Sequence, residues 1–212
     1  TYGNDPCLEF QPSLNGGANE MDEKTRRLTA LMHKAISIIQ FKEEAKIFAR
    51  HPEWNMQDRI LFDKINYKDG SITLNGKNYK LKSSFFPTIN PDEPNALTPE
   101  EKDLMDKLHH SFRVSEKLHK HVRLLLQHGC MYSICNNNLL FHAAVPINAD
   151  GSLKEVEIFE GRKFSGKELM HHTGMMIRTA FQNDSTPSER AYAKDYFLYL
   201  WCGKDSPLFD KS

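Results

Sequence analysis

Leu139-Leu140-Phe141-His142-Ala143-Ala144-Val145-Pro146 constrains the fold more than any other stretch of the chain. A continuous apolar run this short reads as a strand buried on both faces, which requires neighbouring strands. His142 closes the run where the chain turns, and buried sheets present ligands at such ends. A lone buried histidine is ordinarily satisfied by a single hydrogen bond and does nothing further. The small-small-x-Pro tail tips the reading toward a site, because it lets backbone pass close to whatever the imidazole holds.

The rest of the chain alternates long helical patterns with short strands. From about Asp22, the residues Leu28, Leu31, Met32, Ala35, Ile36 and Ile39 follow helical spacing, continued by Phe41, Ala45 and Phe48. His51-Pro52 ends that helix, and a shorter one is expected over 56–64. Asp69-Gly70 and Asn75-Gly76 supply tight turns, dividing 65–67, 71–74 and 78–81 into a three-stranded meander. Thr98-Pro99-Glu100-Glu101 opens a helix with a capping box, expected to run to 128 and to bury Leu104, Leu108, Phe112, Leu118, Val122 and Leu125. Strands over 130–135 and 139–144 should pair through Asn136-Asn137-Asn138, residues that tolerate left-handed backbone. A further strand is expected over 156–159, then capped helices over 166–181 and 187–197, opened by Ser165-x-x-Glu168 and Thr186-Pro187-Ser188-Glu189. Residues 199–201 read as a last strand before a loop over 203–207. Residues 1–20 read as loop.

At 212 residues the chain can bury a sizeable core. Its 28 Lys and Arg balance 28 Asp and Glu, which argues against a nucleic-acid partner. No run approaches the roughly 20 apolar residues that span a bilayer, and no membrane partner is expected. Thr1-Tyr2-Gly3-Asn4-Asp5 resembles neither a signal nor a transit peptide. The absence of an initiator methionine reads as a start inside a longer protein. Cys7, Cys130, Cys135 and Cys202 match neither zinc nor disulfide spacing, so a reduced, cytoplasmic setting is expected and Cys202 reads as a buried structural thiol.

Ten histidines invite a metal hypothesis. His109-His110, His119-x-His121 and His171-His172 do not share a helix face and read as solvated positions. No P-loop, dinucleotide fingerprint or nucleophile elbow is present. The sequence holds no complete catalytic apparatus.

Residues 140–146 resemble the strand-His-small-small-x-Pro element of calcineurin-like metallophosphoesterases. The surrounding stretches are similar to class 3 fructose-1,6-bisphosphatase: Lys34-Ala35-Ile36-Ser37-Ile38-Ile39-Gln40-Phe41-Lys42, Asp63-Lys64-Ile65-Asn66-Tyr67, Phe86-Pro87-Thr88-Ile89-Asn90-Pro91 and Ser115-Glu116-Lys117-Leu118. Asn138-Leu139-Leu140-Phe141-His142 and Tyr199-Leu200-Trp201-Cys202-Gly203, leading to Ser206-Pro207-Leu208-Phe209, complete the likeness. The family's pattern carries a glycine after the histidine, where this chain has Ala143. Its D-x-H, G-D-x-x-D-R, G-N-H-D and G-H motifs are absent, so the chain reads as an internal segment.

The resemblance implies a dinuclear manganese or magnesium centre in the intact protein, with His142 as one metal ligand held by a hydrogen bond on its second ring nitrogen. Lys204 and Ser206 are candidates to face the phosphate or sugar, with a plain structural loop an equal alternative.

The expected fold is α+β, helix-rich, with a small meander and strands belonging to a metallophosphoesterase core completed outside the chain. Residues 1–128 would form a helical insertion and 129–212 a partial core around His142. Substrate selection or homo-oligomer contacts could reside in the insertion. The implied activity is hydrolysis of fructose 1,6-bisphosphate in gluconeogenesis by the intact bacterial enzyme, the segment alone being inactive. The alternatives are a non-catalytic helical assembly module, or the same fold acting on another phosphate ester.

Overall fold

The computed structural model describes residues 7, 10, 22–182 and 185–209. The chain is α+β, as expected, with five α-helices and seven short strands among the described residues. No helix among them is long and apolar enough to cross a membrane. Two compact units divide at Thr1–His109 and His110–Ser212. The division expected from the sequence stood at 128/129 instead.

In the first unit, Asp22 caps α1 (Glu23–Arg50) by accepting the Thr25 N–H at 3.0 Å. The helix has the expected extent and buries Ile39, Ala45 and Phe48 as expected, but its inward face is rotated. Ala30, Lys34, Ile38, Ile39, Lys42, Ala45 and Phe48 point inward, while Leu28 and Met32 are exposed. The inward stripe meets Phe62 and Ile89, flanked by Ile65, Tyr67 and Phe86. The helix expected over 56–64 is replaced by single 3-10 turns at Pro52–Trp54, Gln57–Arg59 and Phe62–Lys64. Left-handed Asn55 and extended Ile60 interrupt any longer helix there.

The meander forms as expected, with β1 (Ile65–Asn66), β2 (Ser71–Leu74) and β3 (Lys77–Lys80) in antiparallel order. Ile72 pairs with both Ile65 and Tyr79. Asn75 and Gly76 both take positive φ, the geometry of a two-residue hairpin turn that twists with its strands.

The Thr98 capping box is real. Glu101 accepts the Thr98 N–H at 2.9 Å and Thr98 accepts the Glu101 N–H at 3.2 Å. The helix it opens stops early, however. α2 (Pro99–Val114) ends at Ser115, whose extended backbone and side-chain bond to the Leu118 N–H start α3 (Glu116–His128) afresh. The expected burial also fails: no residue of α3 is buried, and Leu104 and Phe112 of α2 are exposed.

In the second unit, β4 (Tyr132–Cys135) and β5 (Asn138–Phe141) pair as expected, in an antiparallel hairpin with Ile134 opposite Leu139, although β5 takes in Asn138 and stops at Phe141. Asn136 and Asn137 both take positive φ at its turn. The strand is not buried on both faces: Leu139 is 54% exposed, because β5 pairs only with β4 among the described residues.

β6 (Val156–Phe159) gains an unexpected partner, β7 (Arg162–Phe164), through Glu160-Gly161. α4 (Gly166–Thr179) packs on this hairpin and on α5 (Pro187–Cys202). The core of the unit is Ile158, Phe159, Leu169, Thr173, Tyr192 and Tyr196. Residues 199–201 belong to α5 rather than to a strand, since Tyr199 and Leu200 continue its buried face. The Thr186 capping box forms, whereas Ser165 makes no side-chain cap bond. Most of the loop expected over 1–20 lies outside the described residues.

Candidate functional site

The β4–β5 hairpin delivers His142 to a bend directly after Phe141. Its imidazole is exposed and makes no hydrogen bond or ion pair among the described residues. The partner expected on its second ring nitrogen is therefore not among them. Ala143 follows in the left-handed region at φ 60°, the conformation a glycine at that position would adopt without strain.

Three segments close behind the bend. The Ala144 N–H donates to the Pro207 carbonyl at 3.4 Å, and the Lys154 N–H donates to the Pro146 carbonyl at 3.0 Å. The Lys154 ammonium then pairs with Asp205 at 2.7 Å. The loop after α5 is therefore tied to the residues that follow His142 both directly and through Lys154. Sequence reasoning missed Lys154 and Asp205. They stand 51 positions apart and belong to no motif, so only the fold pairs them.

The two substrate-side candidates sit differently on this loop. Lys204 is exposed at the turn and makes no hydrogen bond or ion pair among the described residues. Ser206 is 1% exposed, and its hydroxyl donates to the Leu200 carbonyl at 2.8 Å while accepting the Leu208 N–H at 3.1 Å. Both of its bonding roles are used inside the loop.

One face of the hairpin lines an apolar cleft of about 340 Å³, walled by Tyr132, Ile134, Leu139, Phe141, Val145 and Met170. Lys167 is the only charged residue of its lining. The cleft has the character of a packing surface rather than a polar reaction site.

The clustered histidines, expected to be solvated helix positions, are mostly exposed. His109, His110, His121 and His171 are exposed, and His119 bonds the Arg113 carbonyl at 2.7 Å. His172 stacks on Phe164 at 3.6 Å between centroids. Cys202 is buried with its thiol directed at the Leu198 carbonyl.

A partnerless exposed imidazole suits one position on a metal ion. The described residues do not build a metal centre by themselves, since no group of three His, Cys, Asp or Glu among them could hold an ion. What they define is one exposed imidazole on a bend braced by the Ala144–Pro207 and Lys154–Pro146 bonds.

The comparisons place the chain in a family. The profile of the Firmicute fructose-1,6-bisphosphatase family matches residues 1–212. The class 3 fructose-1,6-bisphosphatase of Phocaeicola vulgatus is 51% identical over 212 residues, covering 100% of this chain and 32% of the relative. That of Parabacteroides distasonis is 50% identical over 211 residues, covering 100% and 32%. That of Alkaliphilus metalliredigens is 47% identical over 211 residues, covering 99% and 32%. No solved structure matches. The chain belongs to the Firmicute fructose-1,6-bisphosphatase family, and spans about a third of the length of the curated relatives it matches. The resemblance read from residues 34–42, 138–142 and 199–209 is thereby borne out.

Proposed function

We propose that this chain is the His142-bearing part of a class 3 fructose-1,6-bisphosphatase, a phosphoric monoester hydrolase that converts D-fructose 1,6-bisphosphate to fructose 6-phosphate and phosphate. The observation that carries the reading is identity near one half along the whole chain to proteins of that name. The exposed, unpaired His142 supports it independently, because a ligand contributed to a composite centre must be presented outward.

In this reading β4–β5 joins a metallophosphoesterase core completed by residues beyond the matched third. A pair of manganese or magnesium ions would supply the Lewis-acid charge for phosphate hydrolysis. This chain's contribution is one neutral imidazole, aimed by the bend after β5. A reduced cytoplasmic setting and a place in gluconeogenesis follow from the substrate. The partners are a small sugar bisphosphate and further copies of the protein, with neither nucleic acid nor membrane.

The test is phosphate release from fructose 1,6-bisphosphate by a protein of the relatives' full length carrying this chain, with added manganese, comparing wild type with His142→Ala. Metal-dependent activity that falls at least a hundredfold in the variant supports both the reaction and the ligand role. The 212-residue chain alone should release no phosphate at catalytic stoichiometry. Hydrolysis of a different phosphate ester would keep the fold and discard the substrate. Complete inactivity would favour an assembly module, the reading to which the unburied apolar stripe of α3 lends weight.

A further inference from the structure

Ala143 stands out among the described residues with positive φ. Beyond Cys7, which lies away from any strand or helix, four of the others are asparagines, and Glu160 shares a two-residue turn with Gly161. Those positions have local turn chemistry to explain them. Ala143 has neither a side chain that bonds its own backbone nor a neighbouring glycine. A β-carbon in the left-handed region persists only where the surroundings over-determine it, and such positions concentrate at functional sites.

The surroundings that hold it are the loop after α5. The loop is pinned from inside by Ser206, whose buried hydroxyl joins the Leu200 carbonyl to the Leu208 N–H, while the Ser206 N–H reaches the Gly203 carbonyl at 3.1 Å. Gly203 lets the chain leave α5 tightly, since a β-carbon there would lie 2.5 Å from the Tyr199 carbonyl oxygen. Thus fixed, the loop offers the Pro207 carbonyl to Ala144, and Asp205 fastens Lys154, whose amide holds Pro146.

We infer that Ser206 and the Lys154–Asp205 pair are positioning residues that set the direction of His142, rather than groups that touch phosphate or sugar. The inference rests on the reading of His142 as the chain's contribution to the active site. Ser206 pins the loop from within, and the ion pair clasps it to the segment that leaves His142. The pair is about one-third exposed on each side, so its stabilising value is small while its geometric effect falls on the bend. Misplacing a reacting group by about 1 Å can cost on the order of a hundredfold in rate.

Asp205→Asn, Lys154→Arg and Ser206→Ala should be made in the full-length protein, alongside His142→Ala. The readouts are kcat and KM for fructose 1,6-bisphosphate, the melting temperature, and the ring ¹³C–¹H signals of labelled histidines. Asp205→Asn is expected to lower kcat roughly ten- to a hundredfold with KM within about threefold. Its melting temperature should stay within a few degrees, and the His142 signal alone should shift or broaden. Lys154→Arg keeps the charge and should retain most of kcat.

If His142→Ala removes activity but Asp205→Asn leaves both kcat and the His142 signal unchanged, the positioning role is overturned. Unchanged activity in His142→Ala overturns the active-site reading instead, and the histidine signal still decides whether the clasp orients the ring. A raised KM with unchanged kcat would return Asp205 and its loop to the substrate side. Should Ser206→Ala fail to fold, Asp205→Asn and Lys154→Arg decide the matter.

Discussion

Lys42 is 0% exposed, and its ammonium is held by Glu101 at 2.7 Å and by the Thr88 carbonyl at 2.7 Å. A buried charge keeps its cost low only while paired. Glu101→Ala should therefore destabilise the chain by about 3–5 kcal/mol in urea unfolding. Adding Lys42→Met to it should recover more than half, since removing both charges leaves an apolar contact. No recovery would mean that Glu101 acts chiefly as the Thr98 cap. Lys34 is buried differently, donating to Ser83 at 3.3 Å and lying 5.7 and 5.8 Å from the Phe85 and Phe86 ring centroids. Neither lysine was legible, because helical periodicity counts apolar residues and these two bury methylene stems. Their inclusion rotates the inward face of α1 away from Leu28 and Met32. His142 was legible at this scale, since an imidazole directly after a short strand is a local pattern. Ala143 makes the second residue-level prediction. Glycine takes φ near +60° freely, so Ala143→Gly should stabilise the chain by up to about 1 kcal/mol by thermal melting, less whatever entropy glycine adds to the unfolded state. A loss would show that the methyl group packs.

Capping separates two helices that look alike in sequence. Thr186 and Glu189 exchange both bonds of a capping box, whereas Ser165 makes no cap bond despite Glu168 three positions on. Thr186→Ala should cost about 1 kcal/mol and Ser165→Ala only a few tenths, measured by the same unfolding experiment. The motif was readable in both, but the geometry that satisfies it was not, because Gly166 enters α4 in the left-handed region against Leu153. Ser115 is the converse case: it breaks one amphipathic pattern into α2 and α3, and an uninterrupted apolar period concealed it. α5 carries a ladder in which Tyr192, Tyr196 and Tyr199 stack at 6.0 and 5.4 Å between centroids. Burial pushes the Tyr196 phenol up to about 12, against a weaker downward pull from its bond to Thr173, and pushes Tyr199 further still. In the unfolded chain these phenols ionise near 10. Above that pH the unfolded state therefore binds fewer protons than the folded one, and stability falls as pH rises toward 12. Urea midpoints should be flat below about pH 9.5 and drop between about 10 and 12. In Tyr196→Phe that drop should be smaller. An equal drop in the variant would place the effect elsewhere.

At the scale of the whole chain, the apolar surface is distributed in a way that its own residues do not explain. α3 aligns Leu118, Val122, Leu125 and Leu126 along one side and buries none of them. Among the described residues β4–β5 is a two-stranded sheet with two open edges, and Trp201 of α5 is 76% exposed. A hairpin of this size is marginal unless something packs on it, and open edges recruit other strands. The sequence carried this in part: the run 139–141 asks for a buried strand, and the isolated hairpin leaves that demand unmet. A periodic pattern shows which residues call for burial but not what buries them, so local elements were readable while their burial was not. The 212-residue chain at increasing concentration should then sediment above the 24.5 kDa of one copy. Ile134 and Leu139 face each other across the hairpin and both line its apolar cleft, so they are the place to intervene. Ile134→Lys with Leu139→Glu replaces that apolar pair by an opposite-charge pair compatible with the strand, and should return the sedimenting species toward one copy without loss of helical signal. Raising salt to about 0.5 M separates the causes, because charge-driven contacts weaken within a shortened Debye length and apolar ones do not. Association that dissolves in salt and ignores the double substitution would move the contact to the charged faces of the helices. Association that persists in salt and disappears with the substitution would place it on the hairpin that carries His142.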